Sequence, residues 1–454
     1  MKLAAVVLAA GQGTRMKSKL PKVLHPIAGK PMIRYALDAV CALDADRTVV
    51  VIGHGADQVR AAVGAGVWFA EQAEPRGTGH AVLQAHDLLR GKADTILVTY
   101  ADMPLLRAGT LQRLVDAHKS SRATITLLTV VSEDTMGFGR IVRTTRGRVL
   151  GIVEEADATE EQLAIRELNG GVYCFDAQWL WEHLTRLKPN GKKHEYYLTD
   201  LVAMAVKERR AIESIILNEA EEVVGINTRV HLARAEKIMR GRINQALMES
   251  GVTLIDPATA YVDAEVEIGA DTIIEPNTQI QGKTTIGANC RIGPNALLRD
   301  AQIGDGCEVI ASVIRESVLE EQVHVGPWAN LRPGTHLARQ VYIGNHGEVK
   351  NSYVGEGTHM GHFSYVGDAR LGARVNIGAG TITCNYDGAR KHRTEIGDDA
   401  FIGSDTMLVA PVKVGARART GAGAVVTKDV PDDSLAVGAP ARVIRKMSRT
   451  VGSG

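Results

Sequence analysis

The stretch HMGHFSYVGDARLGARVNIG (359–378) decides the fold of the C-terminal half of the chain. It repeats an apolar residue followed by glycine at Met360-Gly361, Val366-Gly367, Leu371-Gly372 and Ile377-Gly378. A six-residue period is typical of a β-helix, in which each repeat forms one flat face and turns its apolar residue inward. The stretch therefore predicts a β-helix of hexapeptide repeats.

The same pair recurs from Ile268-Gly269 to Val414-Gly415, mostly at multiples of six residues or one residue off. With three faces per turn, this predicts about ten turns between 251 and 438. Such a prism has a narrow core that takes Ile and Val, which agrees with an aromatic content of 4%. The period breaks at 379–395, which predicts a protruding loop, a place where repeat proteins put binding residues.

The first half of the chain has a different periodicity, in which β-branched runs alternate with amphipathic stretches. The predicted strands are Leu3–Leu8, Thr48–Ile52, Thr95–Thr99 and Thr124–Val131, and the predicted helices are Met32–Leu43, Ala81–Leu89, Leu111–Lys119 and Tyr197–Lys207. This alternation predicts βαβ units and a mostly parallel, Rossmann-like sheet, with ligands at the carboxyl ends of its strands.

A chain of 454 residues is long enough for two or three domains. We predict an α/β domain over 1–227, a linker helix over 228–250, a left-handed parallel β-helix over 251–438 and a basic tail over 439–454. In the linker helix, one apolar face is predicted, comprising Leu232, Ala235, Met239, Ile243 and Leu247.

Composition excludes several classes of function. With 53 Lys and Arg against 52 Asp and Glu, the net charge is +1, so we expect no nucleic-acid or membrane partner, and phosphate binding must come from local sites. The apolar run Leu3–Ala10 is too short to span a membrane and is better explained as a strand than as a signal peptide. The five cysteines lack C-x-x-C spacing, which predicts buried free thiols in a cytoplasmic protein.

The most specific motif of the first half follows its first strand. Leu8-Ala9-Ala10-Gly11-Gln12-Gly13-Thr14-Arg15-Met16 is followed by Leu20-Pro21-Lys22. The glycines let backbone amides approach a phosphate chain, and Arg15 and Lys22 add positive charge. The motif is neither G-x-G-x-x-G nor a Walker A sequence. It resembles the signature of sugar-phosphate nucleotidyltransferases, which join a nucleoside triphosphate to a sugar 1-phosphate and release pyrophosphate.

Several downstream residues match positions that this family uses. Glu71-Gln72 and Gly77-Thr78-Gly79-His80 resemble its uracil-recognising segment, and Asp102 ends a strand where a carboxylate can hold Mg²⁺. The resemblance implies that Asp102 and Asn227 bind Mg²⁺ and that Arg15 and Lys22 are catalytic. The UDP-sugar is expected to contact Leu8, Ala9, Ala10, Gly11, Lys22, Gln72, Gly77, Thr78, Tyr100, Asp102, Gly139, Glu154, Asn169 and Asn227.

The candidate chemistry of the second half lies between 348 and 385. His362 stands in a polar run, and histidine has a pKa suited to taking a proton from an amine near neutrality. We place Glu348 two coils away in register, where it would orient His362. Arg332 and Lys350 could hold a sugar phosphate.

With these residues, the second half resembles the acetyltransferase domain of the bifunctional N-acetylglucosamine-1-phosphate uridyltransferase/glucosamine-1-phosphate N-acetyltransferase family. The resemblance covers about 1–438 and implies that His362 is the base. It also implies homotrimers with shared sites, acetyl-CoA and UTP as co-substrates, and a product for cell-envelope polymers. The implied glucosamine-phosphate residues are Arg332, Lys350, Tyr365, Asn376 and Lys391, and the implied acetyl-CoA residues are Ala379, Asn385, Tyr386, Ser404 and Ala422.

The chain departs from the family pattern at three positions. Ala101 replaces a usual glycine, Gly170 replaces a more common threonine, and Ala439 stands where some members have an arginine for the coenzyme. Two rival hypotheses stay open: a monofunctional nucleotidyltransferase with a scaffolding β-helix, and a non-catalytic regulatory subunit. The presence of both sets of site residues argues against each.

Overall fold

The computed structural model describes residues 2–135, 137–189 and 194–446. The chain divides into two compact units, 1–239 and 240–454. Within the described ranges, no helix is both long enough and apolar enough to cross a membrane.

The first unit is a three-layer α/β structure. Successive residues of the first strand are buried on opposite sides of the sheet: Leu3, Ala5 and Val7 enter one core, and Ala4, Val6 and Leu8 enter the other. A strand with both faces buried reads as a continuous apolar run, which is why LAAVVL shows no polar alternation.

The sheet of the first unit is mixed. The strands of this unit are β1 (Leu3–Leu8), β2 (Pro26–Ile27), β3 (Lys30–Pro31), β4 (Arg47–Ile52), β5 (Trp68–Glu71), β6 (Thr95–Tyr100), β7 (Ile125–Val131), β8 (Arg140–Arg143), β9 (Val149–Val153), β10 (Glu167–Asp176) and β11 (Ile212–Leu217). The order of the main sheet is β11-β7-β10-β6-β1-β4-β5, and only β10 along this path runs antiparallel to its neighbours. Strand β8 pairs with β10 and β9, and β2 pairs with β3 in a separate small sheet.

Four of the five predicted helices are present with ends within three residues of the predicted ones, one is not, and Ala56–Val63, Glu160–Leu163 and Ala177–Leu184 were not predicted. The helices are α1 (Met32–Cys41), α2 (Ala56–Val63), α3 (Thr78–Leu83), α4 (His86–Leu89), α5 (Ala108–Ser121), α6 (Glu160–Leu163), α7 (Ala177–Leu184), α8 (Asp200–Lys207) and α9 (Arg229–Glu249), with 3-10 turns at Thr14–Met16, Lys22–Leu24, Glu155–Asp157 and Ala220–Val223. The single helix predicted over Ala81–Leu89 is wrong, because the chain forms two short helices interrupted at Gln84 and Ala85. In α9, Ala235 and Met239 are buried, and Ile243 and Leu247 pack on the core of the second unit.

The second unit is a left-handed parallel β-helix with three faces, as predicted. Face 1 consists of Thr253–Leu254, Ile273–Ile274, Arg291–Ile292, Glu308–Val309, His324–Val325, Tyr342–Ile343, His359–Met360, Asn376–Ile377, Phe401–Ile402, Arg419–Thr420 and Ser434–Gly438, to which Ala441–Lys446 adds antiparallel. Face 2 consists of Tyr261–Val262, Gln279–Gln281, Leu297–Arg299, Val313–Arg315, Asn330–Leu331, Gly347–Lys350, Ser364–Gly367, Ile382–Cys384, Met407–Val409 and Val425–Val426. Face 3 consists of Glu267–Ile268, Thr285–Ile286, Gln302–Ile303, Val318–Leu319, His336–Leu337, Tyr353–Val354, Ala369–Leu371, Thr394–Ile396 and Val412–Val414.

The inward residues of the repeats form one apolar column, including Ile292, Val309, Val325 and Ile343. Small polar side chains close the corners: the Thr272 hydroxyl donates to the Gly287 carbonyl of the next coil at 2.8 Å. Cys290 and Cys307 lie in this interior as buried free thiols, as does Cys174 in the first unit, but Cys41 is exposed and Cys384 is half-buried, so the prediction of burial is wrong for those two.

Candidate active sites

A cavity of about 490 Å³ opens where β1, β5 and β6 end. Parallel strands present their carboxyl ends at one edge of the sheet, which is where ligands bind in such folds. All of the residues predicted to contact the UDP-sugar line this cavity: Leu8, Ala9, Ala10, Gly11, Lys22, Gln72, Gly77, Thr78, Tyr100, Asp102, Gly139, Glu154, Asn169 and Asn227.

The glycine-rich loop is held close to the lysine of its own motif. Gly13 has φ +62°, and a Cβ atom there would lie 2.6 Å from the Lys22 Cβ atom. A side chain at this position would therefore push Lys22 out of place. Gly11 faces open space in the cavity wall, so its backbone can be approached from the cavity.

Lys22, Asp102 and Asn227 meet in the cavity although they lie far apart in the sequence. The Lys22 ammonium donates to an Asp102 carboxylate oxygen and, at 3.0 Å, to the Asn227 amide oxygen. The side chains of Lys22 and Asp102 are 11% and 18% exposed, so water screens their attraction less than it would at the surface. The two predicted metal ligands thus face one point.

At the predicted base-recognising end, Gly77 is required by the packing of the chain itself. Its φ is +100°, and a Cβ atom would lie 2.7 Å from the Tyr196 carbonyl oxygen. Packing against the 195–197 segment therefore requires glycine here, independently of any ligand. The Gln72 amide donates to the Gly77 carbonyl at 3.1 Å and lies 3.0 Å from His80 Nδ1, so it is held in place by its neighbours.

At the sugar end, buried and half-buried polar side chains are hydrogen-bonded to one another. Thr199 donates to the Glu154 carboxylate at 2.9 Å. Burial raises the pKa of Glu154, the Thr199 bond opposes the rise, and the nearby Asp200 and Asp157 add to it. Asn169 and Tyr173 share hydrogen bonds of 2.6 and 2.9 Å. Tyr173 and Thr199 were not singled out in the sequence, because an isolated hydroxyl residue carries no pattern.

Arg15, by contrast, does not line this cavity. It lines a smaller one of about 170 Å³ together with His231 and Arg234, and the two cavities share Phe138, Gly225 and Asn227 as common wall. The predicted catalytic pair is therefore split: Lys22 faces the larger cavity and Arg15 the adjoining one.

In the second unit, four predicted residues form one column along the corner between faces 1 and 2. Strand registers pair Met360 with Ile377, Ile377 with Ile402, and Phe401 with Arg419. Counting onward from these pairs puts the following four at equivalent positions of successive coils: His362, Ala379, Ser404 and Ala422. His362 is exposed, and the other three residues of the column have small side chains.

Glu348 does not stand where it was predicted. It is in register with Tyr365, one coil away rather than two, because a coil here is 17 residues long. Its carboxylate accepts a hydrogen bond from Arg332 at 2.9 Å. Among the described residues no hydrogen bond joins Glu348 to His362, so the structure shows Glu348 positioning Arg332.

Asp368, in the turn between the face 2 strand Ser364–Gly367 and the face 3 strand Ala369–Leu371, is the centre of a polar cluster that sequence reasoning did not single out. Its carboxylate accepts from Asn351 at 2.6 Å and from the Asn385 amide, and lies 3.9 Å from the Lys350 ammonium. Burial alone would raise the pKa of Asp368, but these hydrogen bonds and the charges of Lys350 and Lys391 lower it. The neighbouring Lys350 lowers the pKa of Lys391.

The remaining predicted residues lie elsewhere on the prism. Asn376 is on face 1, whereas Lys350 and Tyr365 are on face 2, so one chain does not bring them to the same face. Asn385 and Tyr386 follow the face 2 strand Ile382–Cys384, in the predicted loop that precedes Thr394. Tyr386 is 61% exposed.

Comparison with known proteins agrees with both halves. The MobA-like NTP transferase domain model matches residues 5–194, and the bacterial transferase hexapeptide (six repeats) model matches 265–300 and 393–428.

Proteins similar over almost the whole length are each named bifunctional protein GlmU. The protein of Pelobacter propionicus is 48% identical over 98% of this chain and 97% of its own, and that of Brevibacillus brevis is 48% identical over 96% and 95%. That of Heliobacterium modesticaldum is 49% identical over 96% and 95%. This chain belongs to the GlmU family. The predicted family is confirmed.

Membership of the GlmU family also confirms the predicted bifunctional enzyme. The N-terminal half is the nucleotidyltransferase and the C-terminal half is the hexapeptide acetyltransferase. The enzyme acetylates glucosamine 1-phosphate and transfers UMP to the product, forming UDP-N-acetylglucosamine for the cell wall. Neither rival hypothesis survives this result.

Two departures from the expected GlmU pattern have a local explanation. The Ala101 methyl is fully buried, and its amide donates to the Leu8 carbonyl at 3.0 Å, so the strand end keeps its place. A Cβ atom on Gly170 would lie 2.8 Å from the Leu128 carbonyl oxygen. Gly170 stands where the pairing of β10 with β7 shifts register, between Asn169 and Tyr173, so glycine allows the strands to stay close there.

The basic tail is partly structured. Ala441–Lys446 forms a strand antiparallel to Ser434–Gly438, and most of its side chains are exposed, including Arg442, Arg445 and Lys446. Ala439 lies in the turn between these strands. Arg449, another basic residue of this tail, lies outside the described residues.

Proposed function

We propose that uridylyl transfer takes place in the 490 Å³ cavity and acetyl transfer along face 2 and its corner with face 1. The observation that carries the first assignment is the meeting of Lys22, Asp102 and Asn227 at one point among the cavity residues. The cluster of Lys350, Asp368 and Asn385 below the 385–393 loop supports the second.

The Asp102 and Asn227 oxygens fit Mg²⁺. Carboxylate and amide oxygens are ligands that Mg²⁺ accepts, and it commonly takes one or two protein ligands, with phosphates and water completing the shell. Both oxygens lie within hydrogen-bonding distance of the same ammonium, so they are close enough to share a cation. When bound, Mg²⁺ would supply positive charge to the phosphates. No cluster of three or more His, Cys, Asp or Glu among the described residues offers another site.

In the uridylyl transfer, a phosphate oxygen of N-acetylglucosamine 1-phosphate attacks the α-phosphorus of UTP. The new P–O bond forms as the bond to the β-phosphate oxygen breaks, and pyrophosphate leaves with the electron pair. The attacking phosphate is already ionised, so no general base is required. Lys22 neutralises charge in the main cavity, and Arg15 does so from the adjoining one, where the departing pyrophosphate would lie.

In the acetyl transfer, His362 accepts a proton from the amino group of glucosamine 1-phosphate. The amine nitrogen attacks the thioester carbonyl of acetyl-CoA, a C–N bond forms and the C–S bond breaks. The proton then passes to the departing thiolate of coenzyme A. Arg332, Lys350 and Lys391 hold the sugar phosphate and Tyr365 orients the sugar. Asn385 and Tyr386 contact the coenzyme, for which the corner residues Ala379, Ser404 and Ala422 leave room.

We further propose that the acetyltransferase site is completed by a second copy in a homotrimer. Asn376 lies on a different face from Lys350 and Tyr365, so a neighbouring prism that packs face 1 against face 2 would bring them together. Because UTP and acetyl-CoA are cytoplasmic metabolites, we place the enzyme in the cytoplasm. We expect no nucleic-acid or membrane partner.

The test is mass spectrometry of the products formed from glucosamine 1-phosphate, acetyl-CoA, UTP and Mg²⁺. A UDP-N-acetylhexosamine that disappears when Mg²⁺ is removed with chelator, while N-acetylhexosamine phosphate persists, would support both assignments. Persistence of the UDP-sugar without divalent cation would contradict the metal site at Asp102 and Asn227.

A further inference from the structure

Arg140 is the largest fully buried side chain of the described chain, with 2% of its surface exposed. It begins β8 directly after Gly137–Gly139, which lines the main cavity. On β9 its register partner is Val153, the residue before Glu154. Arg140 is therefore adjacent in the chain or in register to two segments that line the cavity, the 137–139 loop and the region of Glu154.

The contacts of Arg140 join these two segments. One terminal nitrogen donates to the Phe138 carbonyl of the 137–139 loop, and the other donates to the Glu155 carboxylate at 3.0 Å. The loop also lies tight against β9: a Cβ atom on Gly139 would lie 2.8 Å from Ile152 Cγ2 and 3.5 Å from Glu154 Oε2. Gly139 and Glu154 are thus close neighbours in the cavity wall. The hydrogen bonds of Arg140 to Phe138 and Glu155, the residues next to them in the chain, link the two segments.

These contacts of the buried Arg140 guanidinium are not an efficient way to stabilise the fold. A buried charge needs a partner and full hydrogen bonding to offset its desolvation. Glu155 is 45% exposed, and the buried Arg140 Nε atom has no hydrogen-bond partner among the residues that the structure describes. An apolar side chain of similar length would fill the space without that cost.

We propose that Arg140 is a positioning residue that fixes the 137–139 loop against Glu154 and so sets the width of the sugar-phosphate end of the cavity. The inference rests on the proposed uridylyl transfer in this cavity. Arg140 itself does not contact the substrate. It acts by holding the Gly139 backbone and the Glu154 carboxylate at the spacing that the acceptor sugar requires.

The test is steady-state kinetics of the full-length Arg140→Lys variant, since lysine keeps the charge but cannot reach both partners at once. We expect the KM for N-acetylglucosamine 1-phosphate to rise about tenfold, with the KM for UTP and the acetyl-transfer rate unchanged. Glu155→Gln should raise the same KM, and the double variant should be no worse than Arg140→Lys, because both changes break one bridge.

Arg143→Lys is the matched control. Arg143 lies on the same strand and pairs with Glu167 and Ser214, away from the cavity, so this variant should lower the melting temperature without a selective change in KM. If Arg140→Lys lowers stability as Arg143→Lys does and leaves the acceptor KM unchanged, Arg140 is only structural and the inference is wrong. If the unaltered enzyme itself makes no UDP-sugar, the proposed function fails instead.

Discussion

Gly367 offers a direct test of the acetyltransferase assignment. A Cβ atom at Gly367 would lie 2.3 Å from the Tyr365 hydroxyl oxygen and 2.9 Å from the Asn385 amide nitrogen, whereas ordinary contacts begin at 3.4 Å. Gly367→Ala must therefore displace the Tyr365 hydroxyl by about 1 Å (3.4 − 2.3). The Tyr365 phenol would move rather than the backbone, because it is the end of a side chain.

A displacement of about 1 Å in a positioning group can cost on the order of 100-fold in rate. We expect Gly367→Ala to lower kcat/KM for acetyl transfer by roughly that factor, which corresponds to about 2.7 kcal/mol. A coupled thiol-release assay with glucosamine 1-phosphate and acetyl-CoA measures it. Uridylyl transfer, followed as pyrophosphate release from UTP and N-acetylglucosamine 1-phosphate, should be unchanged.

Tyr365→Phe is the control variant. It removes the Tyr365 hydroxyl without introducing a steric clash, so it separates the loss of this group from the effect of the added methyl. If Gly367→Ala retained full acetyl transfer with a normal melting temperature, Tyr365 and Asn385 would not be held for catalysis as argued. A loss of both activities would instead point to damage to the fold.

Three further predictions follow from the two sites. Asp102→Asn removes the charge that holds Lys22 and should lower the uridylyl-transfer rate about 100-fold or more with acetyl transfer intact; unchanged Mg²⁺-dependent transfer would remove Asp102 from the site. His362→Ala should lower acetyl transfer by about 10² to 10⁴ and spare uridylyl transfer; loss of both in a folded protein would contradict independent sites. The pKa of Asp368 is lowered in the folded protein, so its ionised form stabilises the fold above the unfolded value of about 3.9, and this contribution is lost as pH falls through the lower folded pKa. The unfolding free energy of the unaltered protein minus that of Asp368→Asn should therefore shrink as the pH falls below about 4; a difference that grows in acid would reverse the sign of the argument.

The four strands of the first unit that the sequence predicted are buried on both faces. The second half of Glu167–Asp176 is also buried on both faces, but this strand was not predicted, because its first half is polar and glycine-rich. Leu3–Leu8 was predicted to the residue, and the other three strands to within one. Trp68–Glu71 and Ile212–Leu217 were missed because they are edge strands with exposed residues, such as Trp68 at 51% and Ile216 at 52%. Their sequences carry neither a continuous apolar run nor a clean alternation.

The β-helix was predictable because its period is a fixed number of residues along the chain. Each apolar-glycine pair closes a corner, so the count along the chain gives the coil directly. The same count could have corrected the position of Glu348, because it precedes Tyr365 by 17 residues, one coil. It could also have placed Asn376 on another face, since 11 residues from Tyr365 is about two-thirds of a coil.

Pairings between side chains remote in sequence were beyond such counting. Lys22 meets Asp102 across 80 residues and Asn227 across 205, and nothing in the local pattern specifies these contacts. Motif resemblance supplied the residues, but only the sheet topology brings them together. Asp368 shows the converse, since it has no motif of its own and is recognisable only from its hydrogen bonds with Asn351 and Asn385.

Both sites place a lysine against an aspartate, Lys22 with Asp102 and Lys350 with Asp368. In a chain with a net charge of +1, each pair holds a lysine at the site while the carboxylate balances its charge. The carboxylate also restricts where the ammonium can lie, which a flexible four-carbon stem would not do alone. A phosphate must therefore compete with the carboxylate for the lysine, and it can do so only where further cations meet it, as Arg15 beside the first site and Arg332 and Lys391 at the second would allow. The selectivity of each site for phosphate esters over other anions then comes from the number of cations that converge on the ligand, and not from any single pair.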